Sequence, residues 1–126
     1  MTGFCVVLTT TDSDDHAERI VDAVLHAKLA ACLQLMPIKS CYVWQGRIAR
    51  DNEVLILIKA RASDYDDLAA CIRAAHTYEV PEIVRLDIAA GEKPYLDWIG
   101  AVTCEGSAPI AARSLLSRWP SRPVHV

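Results

Sequence analysis

Two long apolar segments, residues 31–44 and 47–60, constrain the fold of this 126-residue chain more than any other feature of its sequence. The Trp-Gln-Gly-Arg turn at 44–47 favours a tight reversal between them, because Gly46 can take a positive φ. Together they predict a β-hairpin with arms of about 14 residues, or about 45 Å if fully extended. A domain of this length has a diameter of only about 35 Å, so straight arms would overhang it. An overhanging apolar hairpin needs a partner to pair with it, and we therefore expect an oligomer.

Each arm of the predicted hairpin contains one position that disturbs regular strand structure. Pro37 cannot donate to a sheet ladder, so it predicts either a bulge or an unpaired edge in the first arm. The Asp51-Asn52 pair predicts a second irregularity in the returning arm.

The segment before the hairpin contains a strand and then a helix. The segment at residues 4–10 is short and rich in β-branched side chains, which predicts a buried strand. Asp12 and Ser13 can cap a helix, with acidic residues following in its first turn. The apolar face of that helix repeats at i, i+3, i+4, i+7 and i+8 and consists of Ala17, Ile20, Val21, Val24 and Leu25.

After the hairpin, two more helices flank a fourth strand. Ser63 is predicted to cap the first of these helices, with Asp66 as a capping-box analogue. Its apolar stripe is Tyr65, Leu68, Ala69, Ile72 and Ala75. The strand follows Pro81 and alternates through Val84, Leu86 and Ile88, and the last helix places Tyr95, Trp98, Ile99 and Val102 on one face.

The order of elements is thus β-α-β-β-α-β plus an extra C-terminal helix. This order predicts an α+β ferredoxin-like fold, in which two helices cover an antiparallel sheet. We expect one domain over residues 1–104 and a C-terminal extension over 105–126. The extension is predicted to form a short helix from Pro109 and then a loose tail.

Charge and composition argue against several classes of protein. The net charge is −3 without a basic stripe, so we expect no nucleic-acid partner. No charge-free run approaches the roughly 18 apolar residues of a membrane span, and no basic n-region precedes the first strand. We therefore expect no membrane partner and a cytoplasmic location. The five cysteines are odd in number and lie in apolar stretches, which favours buried free thiols over metal or redox chemistry.

A series of motifs between residues 6 and 102 resembles the CutA divalent-cation tolerance family. The motifs are Leu-Ala-Ala-Cys at 29–32; Pro37, Ser40, Tyr42, Trp44 and Gly46; Glu53, Leu55 and Lys59; His-Thr-Tyr-Glu-Val-Pro-Glu-Ile at 76–83; and Tyr-Leu-Asp-Trp-Ile at 95–99. Thr77 departs from the proline that is usual in the family's His-Pro-Tyr-Glu element. The stretch from Thr103 onward is not covered.

The resemblance implies a homotrimer in which the long hairpins extend the sheets of neighbouring subunits. It also implies a response to divalent cations, with Cu(II) or another divalent cation as the ligand, and a trimeric design similar to PII signalling proteins. The alternative is therefore a PII-like regulatory trimer that binds a small anionic metabolite at the clefts between subunits.

The resemblance leaves a metal site incomplete. Copper favours thiolates and imidazoles placed together, and some family members have a second histidine before the one that matches His76, and a cysteine near the end of the first strand. Ala75 and Thr9 occupy those positions here. His76 remains as the metal-ligand candidate; the alternative is that it ends the second helix and hydrogen-bonds locally.

A cleft for a small ligand is the other candidate site. Polar and aromatic residues concentrate around Pro81, and loops of this kind often form binding rims. If the trimer forms, residues of the hairpin could face the cleft beside this loop. The candidate cleft residues are Trp44, Glu53, Lys59, Tyr78, Glu79 and Glu82. The alternatives are a structural turn for the loop and simple interface packing for Trp44.

Signatures of an enzyme are weak, and we predict no catalytic residues. The chain has neither a common Gly-rich phosphate loop nor a G-x-S-x-G elbow. A cysteine hydrolase would need a thiolate beside a histidine. Cys71 and His76 are five positions apart on one predicted helix, about 140° around its axis, which argues against such a pair.

Overall fold

The computed structural model describes residues 1–103, which form four strands and three helices. In chain order these are β1 (Phe4–Thr11), α1 (Asp14–His26), β2 (Cys32–Trp44), β3 (Arg47–Arg61), α2 (Tyr65–Ala75), β4 (Ile83–Asp87) and α3 (Lys93–Val102), with a 3-10 turn at Ala62–Asp64 before α2. The predicted order of elements is confirmed. The extension predicted for 105–126 lies outside the described residues.

The four strands form one antiparallel sheet in the order β2-β3-β1-β4. β1 lies in the middle, where Phe4 pairs with Arg61 and Thr11 with Val54 on β3. On its other side β1 pairs with β4, from Cys5–Asp87 to Thr9–Ile83. This strand order agrees with the ferredoxin-like fold that the sequence predicts.

One face of the sheet packs against α1 and α2. Successive side chains of a strand point to opposite faces, and on this face Cys5, Val7, Ile56 and Ile58 are fully buried. The helices contribute Ile20, Val24, Leu68 and Ile72 to the same cluster. Burying each such aliphatic side chain stabilises the fold by about 1.5–3 kcal/mol. The predicted stripes of both helices are therefore confirmed, except that Leu25 is 42% exposed near the end of α1.

The opposite face of the sheet is covered by α3 at one end. A Cβ on Gly100 would lie 3.4 Å from the Phe4 ring, and Lys59 Nζ donates a hydrogen bond to the Tyr95 hydroxyl over 3.4 Å. Farther along this face, Val84 is 46% exposed and Leu86 is 55% exposed. Residues 1–103 thus leave part of an apolar sheet face open.

The two main helices begin in different ways. Ser13 caps α1 as predicted, because its Oγ accepts a hydrogen bond from the His16 N–H at 3.2 Å. The prediction that Ser63 caps α2 is wrong. Ser63 lies inside the 3-10 turn, and Asp64 takes the cap position without a capping bond, since its carboxylate accepts from Arg61 Nε instead.

The long hairpin is regular throughout. β2 pairs with β3 without an inserted residue, from Cys32–Lys59 to Trp44–Arg47. The irregularity predicted at Asp51-Asn52 is therefore wrong, because both residues pair within the ladder. Pro37 is tolerated because β2 is an edge strand, which is the unpaired-edge alternative.

The predicted overhang of the hairpin is also present. The last partner that β3 has on β1 is Thr11, opposite Val54. Beyond that point, within residues 1–103, β2 and β3 pair only with each other, over the seven residue pairs from Ile38–Glu53 to Trp44–Arg47. These seven pairs, which we call the projecting hairpin, extend about 23 Å at the usual rise per residue.

Candidate functional site

A cavity of about 700 Å³ lies where the projecting hairpin leaves the body of the sheet. Three segments form its walls: the end of β1, the projecting hairpin and the loop at 76–82 between α2 and β4. The lining residues are Thr10, Ser40, Cys41, Tyr42, Trp44, Glu53, Tyr78, Glu79, Val80 and Glu82. A cavity of this size suits a small molecule. We call it the cleft.

His76 fixes the loop at 76–82 to the end of β1. It caps α2 with an extended backbone, and its Nε2 lies 2.7 Å from the Thr10 carbonyl oxygen. The Tyr78 N–H donates to its Nδ1 over 3.0 Å. Because a backbone N–H can only donate, Nδ1 is the acceptor and Nε2 carries the proton. Both ring nitrogens are thus used inside the chain.

Tyr78 joins the same loop to the hairpin. Its hydroxyl donates to Glu53 Oε2 over 2.6 Å, and its ring lies 4.8 Å from the His76 ring, centroid to centroid. Burial, followed by the hydrogen bond to the Glu53 carboxylate, holds the pKa of Tyr78 well above its usual value. The phenol therefore stays protonated, and its hydrogen bond fixes the Glu53 side chain on the wall of the cleft.

The hairpin side of the cleft contains a second phenol–carboxylate pair. The Tyr42 hydroxyl donates to Asp51 Oδ2. That hydrogen bond is the main reason that the pKa of Tyr42 is raised. The two pairs therefore hold one aromatic ring on the loop side of the cleft and one on the hairpin side.

The cleft is acidic. Of the lining residues within 1–103, Glu53, Glu79 and Glu82 have carboxylates, and none is lysine, arginine or histidine. Clefts lined by one sign of charge concentrate ions of the opposite sign. The geometry therefore favours a cationic ligand over an anionic one.

Five of the six cleft residues predicted from sequence lie on this cavity; Lys59 does not. Its Nζ donates to Gln34 Oε1 over 3.0 Å and to the Tyr95 hydroxyl over 3.4 Å. It shares a sheet face with Glu53, but six residues along a strand span about 20 Å. The sequence reasoning missed Ser40 and Tyr42, although they lie four and two residues before Trp44, a spacing that places all three on the same face of a strand. It gave no signal for Thr10, Cys41 and Val80.

The described residues contain no preformed metal site. No group of three or more His, Cys, Asp or Glu side chains within 1–103 could hold a metal ion. Thr9 is fully buried, and none of the residues in 1–103 gives its Oγ1 a hydrogen-bond partner. With both His76 nitrogens engaged, residues 1–103 of one chain do not offer a site built from soft copper ligands.

The cysteines follow the prediction of buried thiols only in part. Cys5 is fully buried, Cys32 and Cys71 are half-buried, but Cys41 is exposed because it lies on the projecting hairpin. Cys104 lies outside the described residues. Burial raises the pKa of Cys71, so it is a poor thiolate. Since His76 bonds elsewhere, these two residues form no nucleophile–base pair.

Sheet order, helix placement and the acidic cleft together define a ferredoxin-like protein with a long projecting hairpin. The sequence model of the CutA1 divalent ion tolerance protein family matches residues 5–102. The chain belongs to this family.

Individual relatives agree with this assignment. The divalent-cation tolerance protein CutA of Thermus thermophilus is 42% identical over 95 residues, which cover 75% of this chain and 92% of that protein. The CutA homolog of Xenopus laevis is 40% identical over 97 residues, 76% of this chain. The chain spans only 64% of that frog protein and 54% of mouse CutA.

Solved structures show the same architecture. The periplasmic divalent cation tolerance protein CutA from Archaeoglobus fulgidus superposes with a TM-score of 0.78 at 34% identity, covering 79% of this chain and 98% of that one. The Thermus thermophilus protein gives a TM-score of 0.74 at 41% identity, covering 76% and 94%. No helix within residues 1–103 is both long and apolar enough to cross a membrane.

Proposed function

We propose that this protein acts in divalent-cation tolerance as a homotrimer whose acidic clefts take up cations. The observation that carries the proposal is the lining of the cleft: three carboxylates and, among residues 1–103, no positively charged side chain. Carboxylate oxygens suit Mg²⁺, Ca²⁺ and Mn²⁺ better than they suit copper. Hydrated divalent cations attracted to the cleft are therefore favoured over a dedicated Cu(II) centre.

Assembly through the projecting hairpin is the first part of the proposal. At its tip, Val43 is 76% exposed, Trp44 is 63% exposed and Ile48 is 71% exposed. A long apolar edge strand invites pairing with another chain, and the open sheet face at Val84 and Leu86 offers a second surface for burial. Both features support an oligomer, and the number three comes from the family resemblance.

Native mass spectrometry of Trp44→Ala tests the assembly. The wild-type protein is expected as a trimer. The trimer of the variant is expected to be weaker, because it loses a large apolar contact, and should therefore already dissociate at protein concentrations at which the wild-type trimer is still intact. Leu25→Ala is the matched control, since Leu25 is an exposed apolar residue on α1, away from the hairpin. A monomeric wild type, or a Trp44→Ala trimer as stable as the control, would contradict the proposal.

Cation uptake is the second part. Metal-free protein is titrated with Mn(II) and with Cu(II), and the double variant Glu79→Gln, Glu82→Gln is compared with Glu18→Gln, which removes one exposed carboxylate from α1. We expect the double variant to weaken Mn(II) uptake several-fold and the control to leave it unchanged. Uptake that is equal in all three proteins would overturn the cleft as the cation site.

The alternative, a PII-like trimer that binds an anionic metabolite, has no comparable support. Three carboxylates repel an anion, and Lys59 donates its hydrogen bonds outside the cleft. A titration with inorganic phosphate tests this alternative, and specific phosphate binding would favour it.

We further propose a cytoplasmic location and no catalytic activity. The four described cysteines are all free, as is usual in a reducing compartment. Cell fractionation of the organism that makes the protein tests the location. A stable rate of ester or acyl-phosphate turnover that depends on Cys71 would contradict the second point.

A further inference from the structure

The cleft has features that a metal ion alone does not require. Its volume of about 700 Å³ leaves room for a molecule beside the carboxylates. Within residues 1–103 the acidic side chains do not converge on one point, since no group of three could hold a metal. The space between them is lined by aromatic rings and by Val80.

Three aromatic side chains, Tyr42, Trp44 and Tyr78, line the cleft. The Tyr42 and Tyr78 hydroxyls are each bonded to a carboxylate, Asp51 and Glu53, so both rings are held in place before any ligand arrives. An ammonium group over the face of such a ring gains about 0.5–2 kcal/mol. The rings thus offer a second kind of attraction for a cation that also has an apolar body.

The carboxylates complete the pattern. Glu53 is already bonded to the Tyr78 hydroxyl, whereas no hydrogen bond or ion pair within residues 1–103 occupies Glu79 or Glu82. Two uncommitted carboxylates beside tethered aromatic rings match a positively charged nitrogen with alkyl substituents. An anion would be repelled, and a neutral molecule would leave the carboxylates unused.

We propose that the cleft binds a small organic ammonium cation, whose charge lies against Glu79 and Glu82 and whose alkyl groups lie against Tyr42, Trp44 and Tyr78. This inference rests on the proposed function, since it takes the same cleft as a cation site. It adds the chemical class of the ligand: a quaternary or alkylated amine in addition to a hydrated metal ion.

The test is isothermal titration of the full chain with choline and with its neutral carbon isostere, in which a tert-butyl group replaces the trimethylammonium. We expect choline to bind at least about tenfold more tightly, a difference of about 1.4 kcal/mol. Trp44→Leu should weaken choline binding several-fold while Trp44→Phe retains it, because only the latter keeps a ring. The double variant Glu79→Gln, Glu82→Gln should weaken choline and leave the neutral isostere unchanged, and Glu18→Gln should change neither.

Three results would overturn the inference: no choline binding, equal binding of the two probes, or choline binding that the cleft variants do not change. The oligomeric state and the thermal unfolding of every variant are recorded first, so that a folding defect is not read as a binding defect. Mn(II) uptake is measured on the same samples. If choline fails while Mn(II) binds, only this inference fails; if both fail, the proposed function fails with it.

Discussion

Tyr78 and Glu53, 25 residues apart in sequence, are joined by a hydrogen bond of 2.6 Å between phenol and carboxylate. The bond connects the loop after α2 to Glu53, which directly precedes the part of β3 that pairs with β1. It therefore fixes the position of the loop relative to the projecting hairpin. The shape of the cleft depends on this relationship, because the two segments form its facing walls.

Tyr78→Phe removes this hydrogen bond while keeping the ring. We expect a loss of about 1.5 kcal/mol in the free energy of unfolding, as is usual for a hydrogen bond to a charged group. Urea unfolding at neutral pH and fixed protein concentration measures it. Tyr42→Phe is the matched control, because its bond to Asp51 lies on the exposed hairpin and should cost less. Equal losses in the two variants would show that the Tyr78 bond has no special role.

The contribution of Tyr78 should also depend on pH. Its pKa is raised in the folded protein, by burial first and then by Glu53. Above the ordinary tyrosine pKa of about 10, the unfolded chain releases the phenolic proton while the folded chain keeps it, so stability falls as the pH rises. The contribution is therefore complete below about pH 10 and declines above it. We expect the stability difference between wild type and Tyr78→Phe to stay constant up to about pH 10 and to shrink as the pH rises above it. A constant difference would contradict the raised pKa.

His76 offers a test that separates a positioning role from direct metal binding. In His76→Asn the shorter amide can still accept from the Tyr78 N–H, and in His76→Gln the longer amide can still donate to the Thr10 carbonyl. Each variant should thus lose one hydrogen bond, or about 1 kcal/mol of stability. His76→Ala should lose both bonds and expose the Tyr78 amide to faster hydrogen exchange.

Metal titration of the same three variants distinguishes the two roles. If His76 only positions the loop, His76→Asn and His76→Gln should each retain part of the cation uptake. A complete loss of Cu(II) binding in all three, with the loop still protected from exchange in Asn and Gln, would identify His76 as a metal ligand.

Local pattern was sufficient to predict the fold, because hydrophobic periodicity reports directly on which side of a strand or helix is buried. It failed where the outcome depended on a neighbouring element. Ser63 has the chemistry of a cap, but β3 continues to Arg61 and the 3-10 turn takes up the next three residues. The polar pair Asp51-Asn52 predicts an interruption of the strand. Both residues nevertheless pair within the ladder, because they lie in the projecting hairpin, where residues 1–103 leave them exposed and no apolar side chain is required.

The candidate site was predictable only at the level of segments. The loop around Pro81 and the strand from Trp44 were identified from their polar and aromatic content. Which of their side chains meet is a matter of register and of contacts over long sequence separations, as between Tyr78 and Glu53. Lys59 illustrates the limit, since strand alternation gives its face correctly and its distance along the strand excludes it from the cleft.

The two serines near helix starts allow a direct comparison of capping. Ser13→Ala removes the bond from Oγ to the His16 N–H and should cost about 1 kcal/mol of stability. Ser63→Ala should change stability by less than about 0.5 kcal/mol, because Ser63 is exposed within the turn and caps nothing. Thermal unfolding of the two variants at one protein concentration provides the measurement. A larger loss for Ser63 would restore the cap that the sequence predicted.

The hairpin turn contains a non-glycine residue in a conformation that favours glycine. Gln45 has φ of 50° and Gly46 has φ of 75°, and positive φ at both central positions is the requirement of a type I′ turn. Left-handed backbone costs an ordinary residue about 1–2 kcal/mol, and asparagine less. Gln45→Asn should therefore stabilise the protein by a few tenths of a kcal/mol, because asparagine adopts the left-handed backbone conformation at a lower free-energy cost than glutamine.

Gly46→Ala should destabilise the protein, and it isolates the contribution of the backbone conformation at position 46 to the free energy of unfolding. A Cβ at position 46 would meet no atom of residues 1–103 within 4 Å, so no steric clash with them adds to the cost of the positive φ. We expect a loss of about 1 kcal/mol, measured by thermal unfolding at fixed protein concentration. Because the turn sets the register of every pair up to Ile38–Glu53, the same variant should also weaken binding in the cleft. Unchanged stability in Gly46→Ala would mean that the turn adopts another conformation in solution, and Trp44 would then not be held beside the cleft.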